Sequence, residues 1–182
     1  GEVSHRISGN PQVLGAARSP VLRGDLPGPA TTDGAGASNF LHVHIPSTRM
    51  ELVGLRAPAY ERRGELRRYW DELSRIIAVS RGRRILFVGD FNVDPDRERY
   101  VGTPHLRQLE AAGWQLPRPT GTWSCETRAG RRSCIDHVLV APAFSATSAG
   151  YAQGSAKTWR VGNAPRSLSD HTPLVVELDL GE

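Results

Sequence analysis

Gly89-Asp90-Phe91-Asn92 sets an acid and an amide two positions apart, directly after the apolar run Arg84-Ile85-Leu86-Phe87-Val88. That run has the length and composition of a buried strand, and the glycine after it lets the backbone turn. In an extended segment, residues two apart point the same way, so Asp90 and Asn92 are expected to face together from a strand end. A carboxylate beside a carboxamide can hold a hard cation, bind a phosphate or steer a water molecule. The same pair is also ordinary turn chemistry, because Asp and Asn are common where strands end.

Two later segments favour the chemical reading. Ser133-Cys134-Ile135-Asp136-His137-Val138-Leu139-Val140 is a strand-like run with an acid near its start. Ser169-Asp170-His171-Thr172-Pro173-Leu174-Val175-Val176 is another, with Asp-His ahead of a proline that can open a strand. Taken in order, Gly-Asp-Phe-Asn, Ile-Asp-His and Ser-Asp-His-Thr-Pro resemble the motifs of the endonuclease/exonuclease/phosphatase superfamily, whose fold is that of pancreatic deoxyribonuclease.

The resemblance implies a divalent-metal-dependent phosphoester hydrolase, most simply a nuclease or other phosphodiesterase in which water attacks phosphorus. It implies Mg²⁺ or Mn²⁺ as cofactor, with Asp170 a ligand or near-ligand and Asp90 and Asn92 close to the ion. His171 is then expected to contact the phosphate and Asp136 to hydrogen-bond its imidazole, orienting the ring and favouring its charged form. Asp90 would orient or deprotonate the attacking water, and Asn92 would hold a phosphate oxygen or a metal-bound water. The choice of general base between Asp90 and His171 stays open. Asp136 and His137 are neighbours on a strand, so only one can face the site, and the resemblance selects Asp136.

Arg56 departs from the family pattern, which often places a Tyr or His at the matching position. A permanently charged guanidinium is a poor proton donor near neutral pH but a good clamp for a phosphate oxygen. Within the family, a phospholipid or phosphoinositide phosphoesterase carries the same motifs. A binding or scaffold domain that keeps the fold without turnover is the alternative from another class. Retention of Asp90, Asn92, Asp136, Asp170 and His171 argues against it.

The elements that must position these residues are legible in part. At 182 residues the chain is the size of one domain, with 38% apolar residues, 19 glycines and 13 prolines. Asn39 to Ile45 and Met50 to Ala57 alternate with period two and, with Pro46 to Arg49 between them, predict a hairpin. Residues 60 to 80 predict a helix with Leu66, Tyr69, Trp70, Leu73, Ile76 and Ile77 on its core face. A short helix from about Pro104 to Ala112 follows, with His105 facing solvent. Leu174 to Leu180 is the last strand. Hairpins interrupted by single helices indicate an α+β chain with mostly antiparallel pairing. The resemblance makes it a four-layer α/β/β/α sandwich with the motifs on loops at one edge of the sheets.

Glu2 to Pro11 and residues 23 to 38 are expected to be loop, and residues 142 to 168 to hold one short strand near Thr158 to Val161. Glu51, turned away from the face of Arg56, is not expected to serve the site. Family members begin with strands carrying an Asn and a metal-binding Glu, and no such segments are expected before Gln12. The chain, which starts at Gly1 rather than Met, is therefore expected to cover the C-terminal two-thirds of one family domain.

The net charge is +4 and the sequence pI about 9.6, a balance that favours nucleic acid or another anionic phosphodiester as partner. Lys157 is the single lysine; arginine suits bidentate phosphate contacts. No apolar run approaches a membrane span and no signal peptide is visible, which suits a soluble chain, cytoplasmic or secreted. Nothing in the composition asks for more than a monomer. His42 and His44 share one strand face, as a metal pair or as ordinary polar residues. Cys125 and Cys134 flank a turn, as a disulfide or as two thiols, and two cysteines alone cannot build a structural zinc site.

Overall fold

In the computed structural model, the residues described are 2–7, 10–30, 39–59, 62–152 and 169–180. The first elements are β1 (Glu2–Ile7) and β2 (Asn10–Ala16), paired antiparallel with a register shift between Ser4 and Arg6. A strand thus stands where polar composition suggested a loop. Val3 and Ile7 alternate with polar neighbours, and pairing with β2 satisfies the backbone, which composition does not register.

Next come β3 (Leu22–Arg23), β4 (Phe40–Ile45) and β5 (Met50–Arg56). The expected hairpin is β4–β5, in register from Phe40 opposite Leu55 to Ile45 opposite Met50. A 3₁₀ turn at Pro46–Thr48 closes it, with Arg49 in the left-handed region at φ 52°. The described part of the loop after β3, residues 24–30, has no regular structure.

Helix α1 (Arg63–Val79) carries the chain from β5 to β6 (Ile85–Asp90), and these two strands pair in parallel. Parallel neighbours need such a crossover. After α2 (Thr103–Ala111) come the short hairpin β7 (Cys125–Glu126) and β8 (Arg132–Ser133), then β9 (Asp136–Val140), β10 (Ser145–Tyr151) and β11 (Leu174–Asp179). Strand β10 lies in a stretch that its Ala, Ser and Gly content disguised. It is a strand because β11 pairs along it, from Ser145 opposite Asp179 to Tyr151 opposite Leu174, and brings the apolar side chains. The strand expected near Thr158 to Val161 lies outside the described residues.

The central sheet has the order β3-β4-β5-β6-β9 and is antiparallel except at β5–β6. Strand alternation gives it two apolar faces. Val53, Leu55, Ile85, Phe87 and Leu139 meet the stripe Tyr69, Trp70, Leu73, Ile76 and Ile77 of α1, with Leu106 and Leu109 of α2. Leu52, Leu86, Val88, Val138 and Val140 meet Phe144, Leu174, Val176 and Leu178 across the β10–β11 hairpin. Strand β2 covers this second face too, where a Cβ on Gly54 would lie 2.6 Å from Val13 Cγ1. The chain is α+β, and the described residues supply helices, central sheet and a second strand layer. None of the described helices is long and apolar enough to cross a membrane.

One glycine of the central sheet has no substitute. Gly89 has φ 141°, and a Cβ there would sit 2.0 Å from the carbonyl oxygen of Leu55 in β5. Gly89→Ala should therefore destabilise the protein by about 2–4 kcal/mol, through backbone strain and overpacking together. In α1 a Cβ on Gly64 meets nothing within 4 Å, so Gly64→Ala should stabilise by about 0.5 kcal/mol. Urea unfolding of the two variants checks the contrast; equal effects would mean that the β5–β6 approach is not tight.

Candidate active site

Strand register lays the site out. At the end of the β5–β6–β9 row, Arg56 pairs with Asp90 and Asp90 with Asp136. Three charged residues from three strands thus stand side by side where the sheet stops. Arg56 Nε lies 3.8 Å from Asp90 Oδ2; the arginine side chain is about half exposed and the carboxylate largely buried.

The Asp90–Asn92 pair forms by a different geometry from the one expected. Asn92 has φ 50° and is not extended. The left-handed residue folds its side chain back: Asn92 N donates to Asp90 Oδ1 at 2.9 Å, and Asn92 Nδ2 donates to Asp90 Oδ2 at 3.0 Å and to Ala57 O at 2.7 Å. Asn tolerates this conformation because its short amide bonds locally. Both amide hydrogens are thus spent on acceptors within the protein. What Asn92 has left to offer a ligand is Oδ1, an acceptor suited to a cation or a water rather than to an anionic oxygen.

His171 reaches the row from the segment before β11. Its Nδ1 bonds Asp136 Oδ2 at 2.8 Å. Backbone pairing fixes that approach: Cys125 bridges His171, Thr172 N donates to Ser124 O at 2.7 Å, and Glu126 N donates to Asp170 O at 2.9 Å. Ser124 is fully buried, and its Oγ accepts from Ile135 N at 2.9 Å and Asp136 N at 3.1 Å. One serine therefore holds both the segment that delivers Asp136 and the segment that delivers His171. Tyr151 adds a bond from its hydroxyl to Asp136 O at 2.9 Å. Neither residue's part was legible beforehand, since a buried serine and a strand tyrosine carry no distinctive spacing. Asp170 is exposed, and its carboxylate, His171 and Cys125 offer ligand atoms that all lie within 4.8 Å of one another.

Electrostatics follow from this crowding. Burial, and next the Asp136 carboxylate, push the Asp90 carboxyl up to about 6. The bond from Asp136 raises His171 above its ordinary value despite burial. Burial, then Asp170, Asp136 and Asp90, push the Cys125 thiol up to about 11. Such a site gathers negative charge that a divalent cation would relieve. The donors Asp90, Asp170 and Asn92 Oδ1 are the hard oxygens that Mg²⁺ or Mn²⁺ takes, so the residues fit that group.

Other candidates fall outside the site. His137 is buried, with Nε2 donating to Val93 O at 2.8 Å and its ring edge-on to Phe91. Burial lowers its pKa, and it serves packing. His42 is buried at the far side of the sheet, where Nδ1 accepts from Leu26 N and Nε2 bonds Glu51 at 2.7 Å. Both its nitrogens are thus occupied, and Glu51, also held by Arg83, stays away from Arg56's end of β5. His105 stacks on Trp70 and bonds Ser74 instead of facing solvent, because α2 lies against α1. Trp123 is buried, with Arg132 over its ring. Cys125 and Cys134 are both free thiols. Cys125 pairs with Ser133, so Cys134, one residue on, turns to the other face.

The raised pKa of His171 makes a testable coupling. The stabilisation from Asp136 is complete below the unfolded histidine value and is lost as pH rises through the higher folded value. Asp136→Asn should therefore lower the His171 pKa measured by NMR titration. It should also cost more stability at mildly acid pH than at alkaline pH. An unchanged titration would mean that the two side chains do not interact in solution.

A family model described as Endonuclease/Exonuclease/phosphatase family matches residues 9–171. Among solved structures, the chain is similar to the 3'-5' exonuclease from Neisseria meningitidis, with a TM-score of 0.62, 17% identity, and 88% of this chain and 71% of that one covered. It is similar to the endonuclease domain of TRAS1, a telomere-specific non-LTR retrotransposon, with a TM-score of 0.56, 17% identity and coverages of 90% and 68%. A mannosyl-6-phosphatase from Bacteroides thetaiotaomicron has a TM-score of 0.51, 22% identity and coverages of 77% and 55%. At these identities the likeness is one of fold, and the chain spans 55% to 71% of those three lengths. No curated protein matches the sequence.

Proposed function

The chain belongs to the endonuclease/exonuclease/phosphatase family, and on that premise we propose that it hydrolyses phosphodiesters with the help of a divalent cation, nucleic acid being the favoured substrate class. The observation that carries the proposal is the Asp136–His171 hydrogen bond of 2.8 Å beside Asp90, three residues from three separate motifs joined in one site. The net charge of +4, with Lys157 the single lysine among 23 basic residues, supports an anionic polymer over a small neutral ester. The mannosyl-6-phosphatase likeness keeps a phosphomonoester within the same chemistry.

In this reading Asp90, Asp170 and Asn92 Oδ1 hold Mg²⁺ or Mn²⁺, which when bound neutralises charge on the phosphate. Asp90 is the group suited to accept a proton from the attacking water: a carboxyl near 6 is ionised at neutral pH yet more basic than an ordinary aspartate. Asn92 keeps it aimed through the Nδ2 and backbone bonds. His171, its pKa raised by the bond to Asp136, binds a phosphate oxygen or the leaving oxygen with its Nε2–H. Arg56, about half exposed beside Asp90, clamps a further phosphate oxygen. Asp136 acts through His171 and is a positioning residue.

Purified protein should hydrolyse a phosphodiester with Mg²⁺ or Mn²⁺ and lose that activity in excess chelator; full activity in chelator would end the proposal. The pH profile should rise as Asp90 ionises, near or below 6 with cation present, and fall as His171 deprotonates. His171→Ala and the His171→Ala/Asp136→Ala double variant should be about equally inactive, because the carboxylate works through the ring. Multiplicative losses in kcat would separate the two.

A further inference from the structure

Cys125 has no part in that chemistry, yet it lies within it. Its side chain is buried, the thiol is free, and Sγ shares a radius of 4.8 Å with ligand atoms of Asp170 and His171. Hard ions leave a sulfur aside, since Mg²⁺ takes oxygen donors. Zn²⁺ and Cd²⁺ do the opposite: they take thiolate, imidazole and carboxylate together.

We propose that thiophilic divalent cations bind at Cys125 Sγ, His171 Nε2 and the Asp170 carboxylate, and that by taking His171 they shut the hydrolytic site. Four observations converge. The backbone holds the two segments together, Cys125 bridging His171 and Glu126 N bonding Asp170 O. Asp136 occupies His171 Nδ1, which directs Nε2 to the ligand and reproduces the carboxylate–histidine support typical of zinc sites. The carboxylates of the cross-strand pair Asp90 and Asp136, the latter bonded to His171, stand beside the cluster and with Asp170 make it a negatively charged place that attracts a cation. Tetrahedral zinc sets its ligand atoms about 3.5 Å apart. Closing the present cluster then needs a shift on the order of 1 Å, within reach of exposed Asp170.

The chemistry balances without a redox partner. The Cys125 thiol, and the His171 imidazolium where it is charged, release their protons to solvent. Sulfur–metal and nitrogen–metal bonds form in their place, and no electron is transferred. Because Asp170 is shared, the softer ion competes with Mg²⁺ for that carboxylate.

The inhibition rests on the hydrolytic reading, but the binding does not, so the two are tested apart. In a Cys134→Ser background, Cd²⁺ should produce a thiolate-to-metal charge-transfer band that saturates at a single equivalent and that Zn²⁺ competes away. Cys125→Ser should abolish the band, and His171→Ala or Asp170→Asn should weaken Cd²⁺ affinity about tenfold or more. Without any change at Cys125, a spin-active cadmium isotope should couple to the His171 ring nitrogen in NMR. No band, or a band indifferent to His171 and Asp170, overturns the site. If the hydrolytic reading holds, Cys125→Ser should keep Mg²⁺-dependent hydrolysis and resist Zn²⁺ at about tenfold higher concentration. Binding without any hydrolysis in Mg²⁺ would overturn the hydrolase and leave the metal site standing. Equal Zn²⁺ inhibition of both forms would overturn the inhibitory role.

Discussion

The register between β6 and its two neighbours is the constraint on which the site depends. Asp90 is the last residue of β6, and it stands opposite Arg56 on the parallel side and Asp136 on the antiparallel side. A slip of one residue on either side would turn a charged side chain onto the opposite face of the sheet. The slip is blocked by apolar packing on both faces, where Phe87 and Leu139 point to the helices and Leu86, Val88 and Val138 to the second strand layer. Gly89 tightens the same point, since its neighbour in β5 leaves no room for a side chain.

That register also concentrates charge that the protein must then manage. Two largely buried carboxylates, Asp90 and Asp136, are cross-strand partners, an arrangement unfavourable without compensation. The compensation differs for each. Asp136 has His171, directly bonded and drawn towards its charged form. Asp90 has the two donors of Asn92 and a more distant guanidinium, which favour its charged form, but burial and the Asp136 carboxylate outweigh them and push its carboxyl up to about 6. Neighbouring acids of the same type are thus given different surroundings, one bonded to an imidazole and one left beside an amide with a raised pKa.

The remaining histidines show how little a residue type says without its neighbours. His137 adjoins Asp136 in sequence, but alternation sends it into the helix-side core, where its Nε2–H donates to Val93 O. His42 sits with His44, Asp25 and Glu51, a set with metal-like composition, yet its two nitrogens are committed to Leu26 and Glu51. Gly24 lies so close over the His42 ring that a Cβ would fall 1.9 Å from Nδ1, so that side is closed by backbone. Such a histidine fixes the fold of a loop against a strand.

Local pattern determined much of this protein. The β4–β5 hairpin follows from period-two alternation, α1 from a stripe at helical spacing, and the choice of Asp136 over His137 from strand geometry joined to the family motif. Motif order alone was enough to gather Asp90, Asn92, Asp136, Asp170 and His171 on one expected edge. Other features depend on partners remote in the chain, which no window of sequence contains. Strand β10 exists because β11 covers it, and β1 because β2 pairs with it. Asn92 turns its amide inward because Ala57 and Asp90 together supply its acceptors, a left-handed geometry that alternation could not foresee. Ser124 and Cys125 acquire their places only when residues 170–172 dock beside them. Hydrogen-bond satisfaction and close packing act across space, so those were settled by the tertiary structure alone.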